Sequence, residues 1–293
     1  MQQTIGFLGA GRMASAMIER LLSKGYRVQV WNRSSTKVDP LVDLGAVACA
    51  TPAKAAENAD AVISFMTDDD AAHRVWLGVD GKDGALSVMA RGCLAIECST
   101  LSHGFVKDLA KTVADAGCLY LDAPVTSVPA QVKAGETIFL IGAEDAALQK
   151  ARPILEAVGQ QIIHFGPAGA GTVYKLMNNL LGAVHIAAAA ELVAIAQKAG
   201  LDGELVAKTF ATGPLASGPA RMTIPGMVSG NHNEGIHFTT GLRSKDAGYA
   251  MQLAKEYGLP LPVGQAAHDV FETATKQGLG DLAQSAVIET LKA

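Results

Sequence analysis

The sequence predicts an α/β fold, with a doubly wound parallel sheet in the first half of the chain and an all-α second half. Two observations predict it. Short apolar runs alternate with amphipathic segments up to about residue 165, and helical periodicity dominates from there to the end. The length of 293 residues suits two domains. We place them at residues 1–165 and 166–293, because Gly166-Pro167 is a turn signal before one long helix.

Each predicted strand is a short apolar run, and the helices are amphipathic or Ala-rich. The predicted strands are 5–8, 27–31, 61–65, 94–97, 119–121, 137–141 and 161–165. The predicted helices are 13–22, 52–58, 104–116, 146–158, 172–198, 203–212, 245–257, 263–277 and 283–291. Strand–helix alternation implies right-handed βαβ units and a sheet covered on both faces. Residues 213–235, rich in Gly, Pro, Ser and Asn, are predicted to form loops.

Composition and charge exclude several classes of protein. Hydrophobic residues make up 49% of the chain and charged residues 18%, which excludes an intrinsically disordered chain. A net charge of −4 provides no basic surface for nucleic acid. The four cysteines show no zinc-ligand spacing, so we expect reduced thiols and no metal site. The N-terminus has no signal-peptide pattern and the apolar stretch 180–190 is shorter than the ~20 residues of a membrane span, so we expect a cytoplasmic protein without a membrane partner.

A glycine-rich loop follows the first predicted strand. The hexapeptide that begins at Gly9, Gly-Ala-Gly-Arg-Met-Ala, matches G-x-G-x-x-G/A and stands where a strand passes into a helix. Gly9 permits a tight turn, and Gly11 allows close approach of a pyrophosphate to the N–H groups at the start of the helix. Ala14 still allows close packing of helix and strand. The loop therefore predicts a dinucleotide cofactor.

The end of the second predicted strand indicates which dinucleotide is bound. NAD-binding sites usually carry Asp or Glu there for the ribose hydroxyls. This chain has Asn32-Arg33-Ser34 instead. An arginine neutralises a 2′-phosphate and binds it with its forked donors, and a serine hydroxyl adds a further donor. The sequence therefore predicts NADP(H).

A second polar cluster lies at the start of the long predicted helix. Lys175, Asn178 and Asn179 are spaced i, i+3 and i+4, so they share one helix face. A lysine with the ordinary pKa of ~10.4 is protonated at neutral pH and can donate a proton to a carbonyl oxygen as hydride reaches its carbon. From spacing alone, a structural lysine is an equally good interpretation.

With these motifs the chain resembles the β-hydroxyacid dehydrogenases. That family includes 3-hydroxyisobutyrate dehydrogenase, tartronate semialdehyde reductase and glyoxylate/succinic semialdehyde reductases, with 6-phosphogluconate dehydrogenase as a distant relative. The resemblance runs nearly end to end. It rests on FLGAGRMASAM, on the N-R-S that follows the second strand, on ECSTLS, on GAGTVYKLMNN, and on the later Phe238 and Lys245-Asp246. Several spaced motifs in the right order are more specific than any one of them.

The resemblance implies a role for each matching residue. Lys175 matches the catalytic lysine of the family and Asn179 its substrate-orienting partner, while Phe238 and Asp246 help to shape the substrate site. The residues implied to contact the cofactor are Gly9, Gly11, Arg12, Met13, Asn32, Arg33, Ser34, Met66, Thr67, Thr100 and Lys245.

One motif departs from the family pattern. The family's D-A-P-V, here residues 122–125, normally continues Ser-Gly-Gly to bind the substrate carboxylate, whereas this chain continues Thr126-Ser127-Val128-Pro129. Thr126 keeps the hydroxyl, but side chains replace two glycines. We therefore expect a small carboxylate substrate other than 3-hydroxyisobutyrate alone. Our hypothesis is a β-hydroxy amino acid or another β-substituted acid whose extra polar group meets Ser127.

Two other functions remain as alternatives. An imine reductase or reductive aminase shares this architecture, but that group usually has Asp or Tyr where this chain has Lys175. A non-catalytic NADP-binding module would be expected to lose Lys175 or Asn179, and both are present. The long Ala-rich helix 172–198 offers more apolar surface than one small helical domain can cover. The sequence therefore predicts a homodimer or homotetramer, whichever function is correct.

Overall fold

The computed structural model describes residues 3–79 and 83–292. The chain divides into two compact units, Met1–Lys175 and Leu176–Ala293. We refer to them as unit 1 and unit 2.

Unit 1 is built on one sheet. Its strands are β1 (Thr4–Leu8), β2 (Arg27–Trp31), β3 (Val47–Ala48), β4 (Ala61–Ser64), β5 (Leu94–Glu97), β6 (Leu119–Asp122), β7 (Val125–Thr126), β8 (Thr137–Ala143) and β9 (Gly159–Gly166). The first six strands are parallel in the order β3-β2-β1-β4-β5-β6, which is the order of a doubly wound dinucleotide-binding sheet. The predicted fold class is confirmed.

The predicted strands near the end of unit 1 extend this sheet, as expected. β8 runs antiparallel to both β6 and β7, because the chain turns back after the short α6 helix. β9 then pairs with β8 in parallel and ends at Gly166.

Helices pack on both faces of the sheet in unit 1. They are α1 (Arg12–Ser23), α2 (Asp39–Val42), α3 (Pro52–Ala56), α4 (Asp69–Leu77), α5 (His103–Asp115), α6 (Pro129–Ala134) and α7 (Asp145–Val158). Two separate apolar clusters fill the space between sheet and helices. One includes Phe7, Ile18 and Phe139, and the other includes Trp76 and Leu109. β1, β4 and β5 are mostly apolar because a sheet covered on both faces buries nearly all of their side chains.

Unit 2 is all-α, as predicted. The long helix α8 (Ala170–Lys198) leads into it, and α9 (Gly203–Thr212), α10 (Gly218–Ser229), α11 (Thr240–Glu256) and α12 (Pro262–Ala274) follow. A π-type turn, Thr275–Leu279, and a 3-10 segment, Gln284–Leu291, end the chain. The core of unit 2 is formed by small and branched side chains around Ile186, Met227 and Phe271. Small and branched side chains therefore fill this core, although the chain contains few aromatic residues.

The prediction that residues 213–235 form only loops is wrong. Gly218–Ser229 is the helix α10, capped by Ser217 and ended by Gly230 in the left-handed conformation. Pro219 stands in its first turn, where a missing N–H costs nothing, and Pro225 is accommodated inside it. The buried residues Ala220, Thr223, Ile224 and Met227 show the i, i+3, i+4, i+7 spacing that the glycines and prolines obscured.

The division between the units falls inside α8, whereas the sequence placed the domain boundary in the turn before it. The first turn of α8 bonds to the sheet of unit 1 through Thr172, and Lys175 bonds to Val125 on β7. These bonds attach the beginning of α8 to unit 1, although the rest of that helix contributes to the core of unit 2.

By length and composition alone, the helix α8 could cross a membrane. The apolar stretch 180–190, considered in the sequence, is shorter than this helix and did not indicate that. Half of its most apolar 18-residue window is buried inside the protein. Core helices of soluble proteins pass the same test.

Candidate active site

The glycine-rich loop lies at the carboxyl end of β1. Gly9 has a φ of +107°, and a Cβ there would approach Phe65 O to 2.7 Å, so this position requires glycine. A Cβ at Gly11 would meet nothing within 4 Å, so space is open beside the loop. Gly11 also precedes α1 without a side chain to cap it. An open space at an uncapped helix N-terminus fits a pyrophosphate.

Asn32 holds this loop to the end of β2. Its Oδ1 accepts a hydrogen bond from Ala10 N at 3.0 Å, and its Nδ2 donates to Ser34 O at 2.8 Å. Gly9 N donates to Trp31 O at 2.7 Å. The side chain of Asn32 therefore joins two loops of the chain, a role that the spacing did not reveal. Arg33 and Ser34, by contrast, are exposed at the same edge of the sheet.

A buried carboxylate organises the ends of β4 and β5. Glu97 accepts hydrogen bonds from Trp76 Nε1 at 2.7 Å, from Ser99 N at 2.8 Å and from Ser99 Oγ. Ser99 Oγ in turn accepts from Met66 N at 2.6 Å. Burial raises the pKa of Glu97, while these hydrogen bonds act in the opposite direction. The network fixes the segments that carry Met66, Thr67 and Thr100.

Two residues of the run Asp68-Asp69-Asp70 accept hydrogen bonds at the beginnings of helices. Asp68 accepts from Ala71 N at the start of α4, and Asp69 accepts from the N–H and hydroxyl of Ser102, the N-cap residue of α5. Across residues 3–79 and 83–292, His, Cys, Asp and Glu form no group of three that could hold a metal ion.

Asp122 anchors the beginning of α8. This residue ends β6, is fully buried, and accepts hydrogen bonds from Thr172 N at 2.7 Å and Thr172 Oγ1 at 2.6 Å. Burial raises its pKa to about 7, and the bonds from Thr172 and from the backbone of Gly169 oppose that rise. Sequence reasoning missed this residue because an aspartate in D-A-P-V looked like part of a loop motif.

Lys175 lies one turn further along α8 and is half-buried. Its Nζ donates to Val125 O at 2.8 Å, so the ammonium group is held directly beside Thr126. Val125 follows Asp122 by three residues. Asp122 therefore fixes the beginning of the helix that carries Lys175, and β7, which Lys175 touches, is held by its pairing with β8.

The loop after Thr126 is internally bonded. Ser127 Oγ donates to Thr126 O at 2.6 Å and accepts from Ile138 N at 3.2 Å. Val128 N donates to the side chain of Gln131 at 3.0 Å, which caps α6, and Pro129 has no N–H. The Val128 and Pro129 positions thus offer no backbone donor to a ligand.

The remaining predicted residues lie in unit 2. Asn179 is buried, and its Nδ2 donates to Asp246 Oδ2 at 2.6 Å, while Asn178 Nδ2 donates to Asn179 Oδ1 at 3.2 Å. Lys245 Nζ lies 3.0 Å from Asp246 Oδ1. Phe238 stands just before α11 and lies over the guanidinium group of Arg243. The roles assigned to these residues, and to those in unit 1, stay predictions.

Two further polar side chains, His103 and Arg243, are buried. His103 lies in the first turn of α5, near Gly169. Arg243 is buried in the first turn of α11 and bonds to the backbone of Asn179. An arginine two residues before Lys-Asp gave no sign of burial in the sequence.

Two models of known protein families match this chain. Residues 4–166 match the family described as the NAD binding domain of 6-phosphogluconate dehydrogenase. Residues 169–291 match the family described as NAD-binding of NADP-dependent 3-hydroxyisobutyrate dehydrogenase. The chain belongs to the β-hydroxyacid dehydrogenase family. Members of this family are oxidoreductases that use a nicotinamide dinucleotide and act on small hydroxyacids.

Two relatives match almost all of this chain. Glyoxylate/succinic semialdehyde reductase 2 of Arabidopsis thaliana is 31% identical over 99% of this chain and 80% of its own. The NAD-dependent L-serine dehydrogenase of Pseudomonas aeruginosa is 33% identical over 94% of each.

Solved structures share the fold. The 3-hydroxyisobutyrate dehydrogenase of Salmonella typhimurium has a TM-score of 0.90 at 25% identity, over 99% of this chain and 100% of its own. That of Mycobacterium tuberculosis, with L-serine, has 0.86 at 29% identity over 100% of each. An imine reductase from Pseudomonas sp. has 0.60 at 19% identity over 99% of this chain and 100% of its own, which shows a common fold and no more.

The pKa of Asp122 predicts a pH-dependent stability. The folded chain keeps a proton that the unfolded chain, with an ordinary pKa of 3.8, releases. The resulting stabilisation is complete below pH 4 and is lost as the pH rises through about 7. Urea unfolding should therefore show the free energy of wild type falling relative to Asp122→Asn over this window, by at most ~1.4 kcal/mol per pH unit.

The control is Thr172→Val, which removes a donor but leaves the titrating carboxyl, so its stability relative to Asp122→Asn should still fall with pH. A constant difference between wild type and Asp122→Asn from pH 4 to pH 8 would contradict the assignment.

Proposed function

We propose that this chain is an NADP-dependent oxidoreductase that interconverts a small β-hydroxy acid, or a β-hydroxy amino acid, and its carbonyl form. One observation carries the proposal. The Lys175 ammonium is held 2.8 Å from Val125 O, directly beside Thr126 in the segment that matches the family's carboxylate-binding motif. A fixed proton donor beside an anion-binding segment suits the reduction of a carbonyl group in a carboxylate substrate.

The open, uncapped glycine-rich loop supports the binding of the dinucleotide. Gly9, Gly11, Arg12 and Met13 would hold the pyrophosphate at the start of α1. Met66, Thr67 and Thr100 are carried by the two segments that Glu97 and Ser99 hold together, so they would border the nicotinamide. Such rigid support is what a hydride-transfer site needs, because small displacements are costly.

The exposed Arg33 and Ser34 support a preference for NADP over NAD. Residues 32–34, directly after β2, include no carboxylate that could repel a 2′-phosphate, and Asn32 is occupied by Ala10 N and Ser34 O. Arg33 is therefore the residue that would pair with a 2′-phosphate, with Ser34 as a second donor.

When bound, the reduced cofactor supplies a hydride to the substrate carbonyl carbon. The Lys175 ammonium gives a proton to the carbonyl oxygen, so that the carbonyl becomes a hydroxyl group and the lysine becomes a neutral amine. Lys175 then takes a proton from solvent, and the reverse steps describe oxidation. Val125 O keeps the ammonium in place through this cycle. Asn179 would orient the substrate with the second N–H of its amide, since the first is donated to Asp246.

The loop after Thr126, in which side chains replace two glycines of the family pattern, supports a substrate other than 3-hydroxyisobutyrate alone. Val128 N is occupied by Gln131, and the Ser127 hydroxyl proton by Thr126 O. Thr126 would therefore carry more of the carboxylate binding than in a loop with two glycines. An oxygen lone pair of Ser127 remains to accept a bond from a substrate amino or hydroxyl group.

A homodimer or homotetramer is supported by the exposed apolar face of α8. Met177, Leu181, Leu192 and Ile195 are each about half exposed or more. Val263 and its neighbours at the start of α12 continue this face with an apolar groove. A second copy of the chain would bury these side chains.

Lys175→Met should lower the kcat of carbonyl reduction by ~10²–10⁴ because it removes the proton donor. Binding of NADPH, measured by fluorescence titration, should change little. Lys150→Met, which removes a surface lysine bonded to Gly92 O, is the control and should keep wild-type turnover. If Lys175→Met turned over at the wild-type rate, Lys175 would not be the donor. Faster turnover of imines than of carbonyls by wild type would favour the imine reductase alternative.

Arg33→Ala should reduce the preference for NADPH over NADH, because the charge that would pair with the 2′-phosphate is lost. We expect the ratio of the two kcat/KM values to fall by ~10-fold or more, mostly through KM for NADPH. Arg27→Ala, at the other end of β2, provides the control. If the ratio of the two kcat/KM values stayed unchanged, Arg33 would not bind the 2′-phosphate.

Ser127→Gly should change the order of preference among substrates. With hydroxyacids and β-hydroxy amino acids compared side by side, we expect kcat/KM to fall for the amino acids and to rise for simple hydroxyacids. The reason is that glycine removes the side chain that narrows the loop. The hypothesis is lost if the order of preference stays the same.

Leu181→Lys and Ile195→Lys should weaken self-association, because each places a charge on the apolar face of α8. Sedimentation velocity should show smaller species than wild type at equal concentration. Leu215→Lys, at an exposed leucine outside α8, should leave the assembly intact. A wild-type chain that sediments as a monomer at micromolar concentration would disprove the proposal.

A further inference from the structure

Arg243 is a charged side chain that is almost entirely buried. It lies in the first turn of α11 and is only 8% exposed. Burial lowers the pKa of its guanidinium group, and the nearby Asp246 opposes that effect. A buried arginine destabilises a protein unless its donors are bonded, so its contacts indicate what it is for.

Arg243 contacts residues of unit 2 that the proposed function places at the substrate. Its Nη1 donates to Asn179 O at 2.9 Å, and its Nε donates to Gln284 Oε1 at 3.0 Å. Its Cζ lies 4.6 Å from the centre of the Phe238 ring. The guanidinium plane thus contacts two of the residues proposed to shape the substrate site.

Gly182 makes this arrangement possible. A Cβ at this position of α8 would lie 2.9 Å from Arg243 Nη1, closer than the two groups tolerate. The missing side chain leaves a notch in the helix one turn after Asn179, and the guanidinium group fills it.

Arg243 and Asp246 act on the same residue from one turn of α11. Asp246 accepts from the side-chain amide of Asn179, and Arg243 donates to its main-chain carbonyl. Side chains at i and i+3 lie on one helix face, so both bonds come from the same side. Asn179 is therefore fixed in position as well as in the rotation of its amide.

We propose that Arg243 is a positioning residue for the substrate site, which holds Asn179 through its backbone and Phe238 through the face of its ring. This inference rests on the proposed function, in which Asn179 orients the substrate. The forked, planar guanidinium group is essential to the role, because a lysine at this position could not bond to Asn179 O and Gln284 while also covering the ring.

The test is a double-mutant cycle on Arg243 and Asn179. Arg243→Lys should lower kcat/KM for the carbonyl substrate by ~10–100-fold, since small displacements of an orienting group cost up to ~10² in rate. The affinity for NADPH should not change. In the Asn179→Ala background, Arg243→Lys should lower kcat/KM by less than ~3-fold, because the group it positions is already gone.

Two further variants complete the design. Gln284→Ala removes one partner of the guanidinium group and should lower kcat/KM in the same direction but less. Arg221→Lys, at an exposed arginine of α10, should leave kcat/KM at the wild-type value. Thermal melting of each variant identifies any loss of fold, and Gln284→Ala tests the proposal if Arg243→Lys does not fold.

The outcomes separate the inference from the proposed function. If Asn179→Ala alone leaves kcat/KM unchanged, the role of Asn179 in the proposed function is wrong. If Asn179→Ala impairs turnover but the effects of the two substitutions are fully additive, Arg243 has a merely structural role. Wild-type kinetics in folded Arg243→Lys would also overturn the inference.

Discussion

The position of Lys175 depends on the buried carboxyl group of Asp122 and its bonds to the first turn of α8. A carboxyl group this deep in the sheet is costly to ionise, and the two hydrogen bonds from Thr172 offset part of that cost. Through this contact the end of β6 sets where α8 begins. Lys175 and Asn179 follow on that same helix, four residues apart, so their spacing along it is fixed by helical geometry.

The loops at the carboxyl edge of the sheet are held by other buried polar groups. Asn32 joins the glycine-rich loop to the end of β2, and Glu97 joins the ends of β4 and β5 through Ser99. Each of these side chains bonds to the backbone of a neighbouring segment. Rigid loops at a sheet edge are expected of a protein that binds a dinucleotide in a defined orientation.

Much of the fold and the glycine-rich loop could be predicted from the sequence, because local sequence patterns determine them. The strands of unit 1 are apolar runs with turns between them, and the glycine-rich loop has a fixed pattern. The helix α10 was missed because Gly218, Pro225 and Gly230 suggested loops, although its buried residues keep helical spacing. The burial of Arg243 could not be predicted, because it depends on a notch at Gly182 and on Gln284, both distant in sequence.

Chemical rescue tests whether the Lys175 ammonium group supplies the proton. Lys175→Ala would be assayed for carbonyl reduction with NADPH over a range of methylammonium concentrations, with Asn179→Ala as the comparison. We expect the small ammonium ion to restore turnover of Lys175→Ala in a saturable manner and to leave the turnover of Asn179→Ala unchanged. Equal stimulation of both variants, or wild-type turnover by Lys175→Ala without the amine, would contradict it.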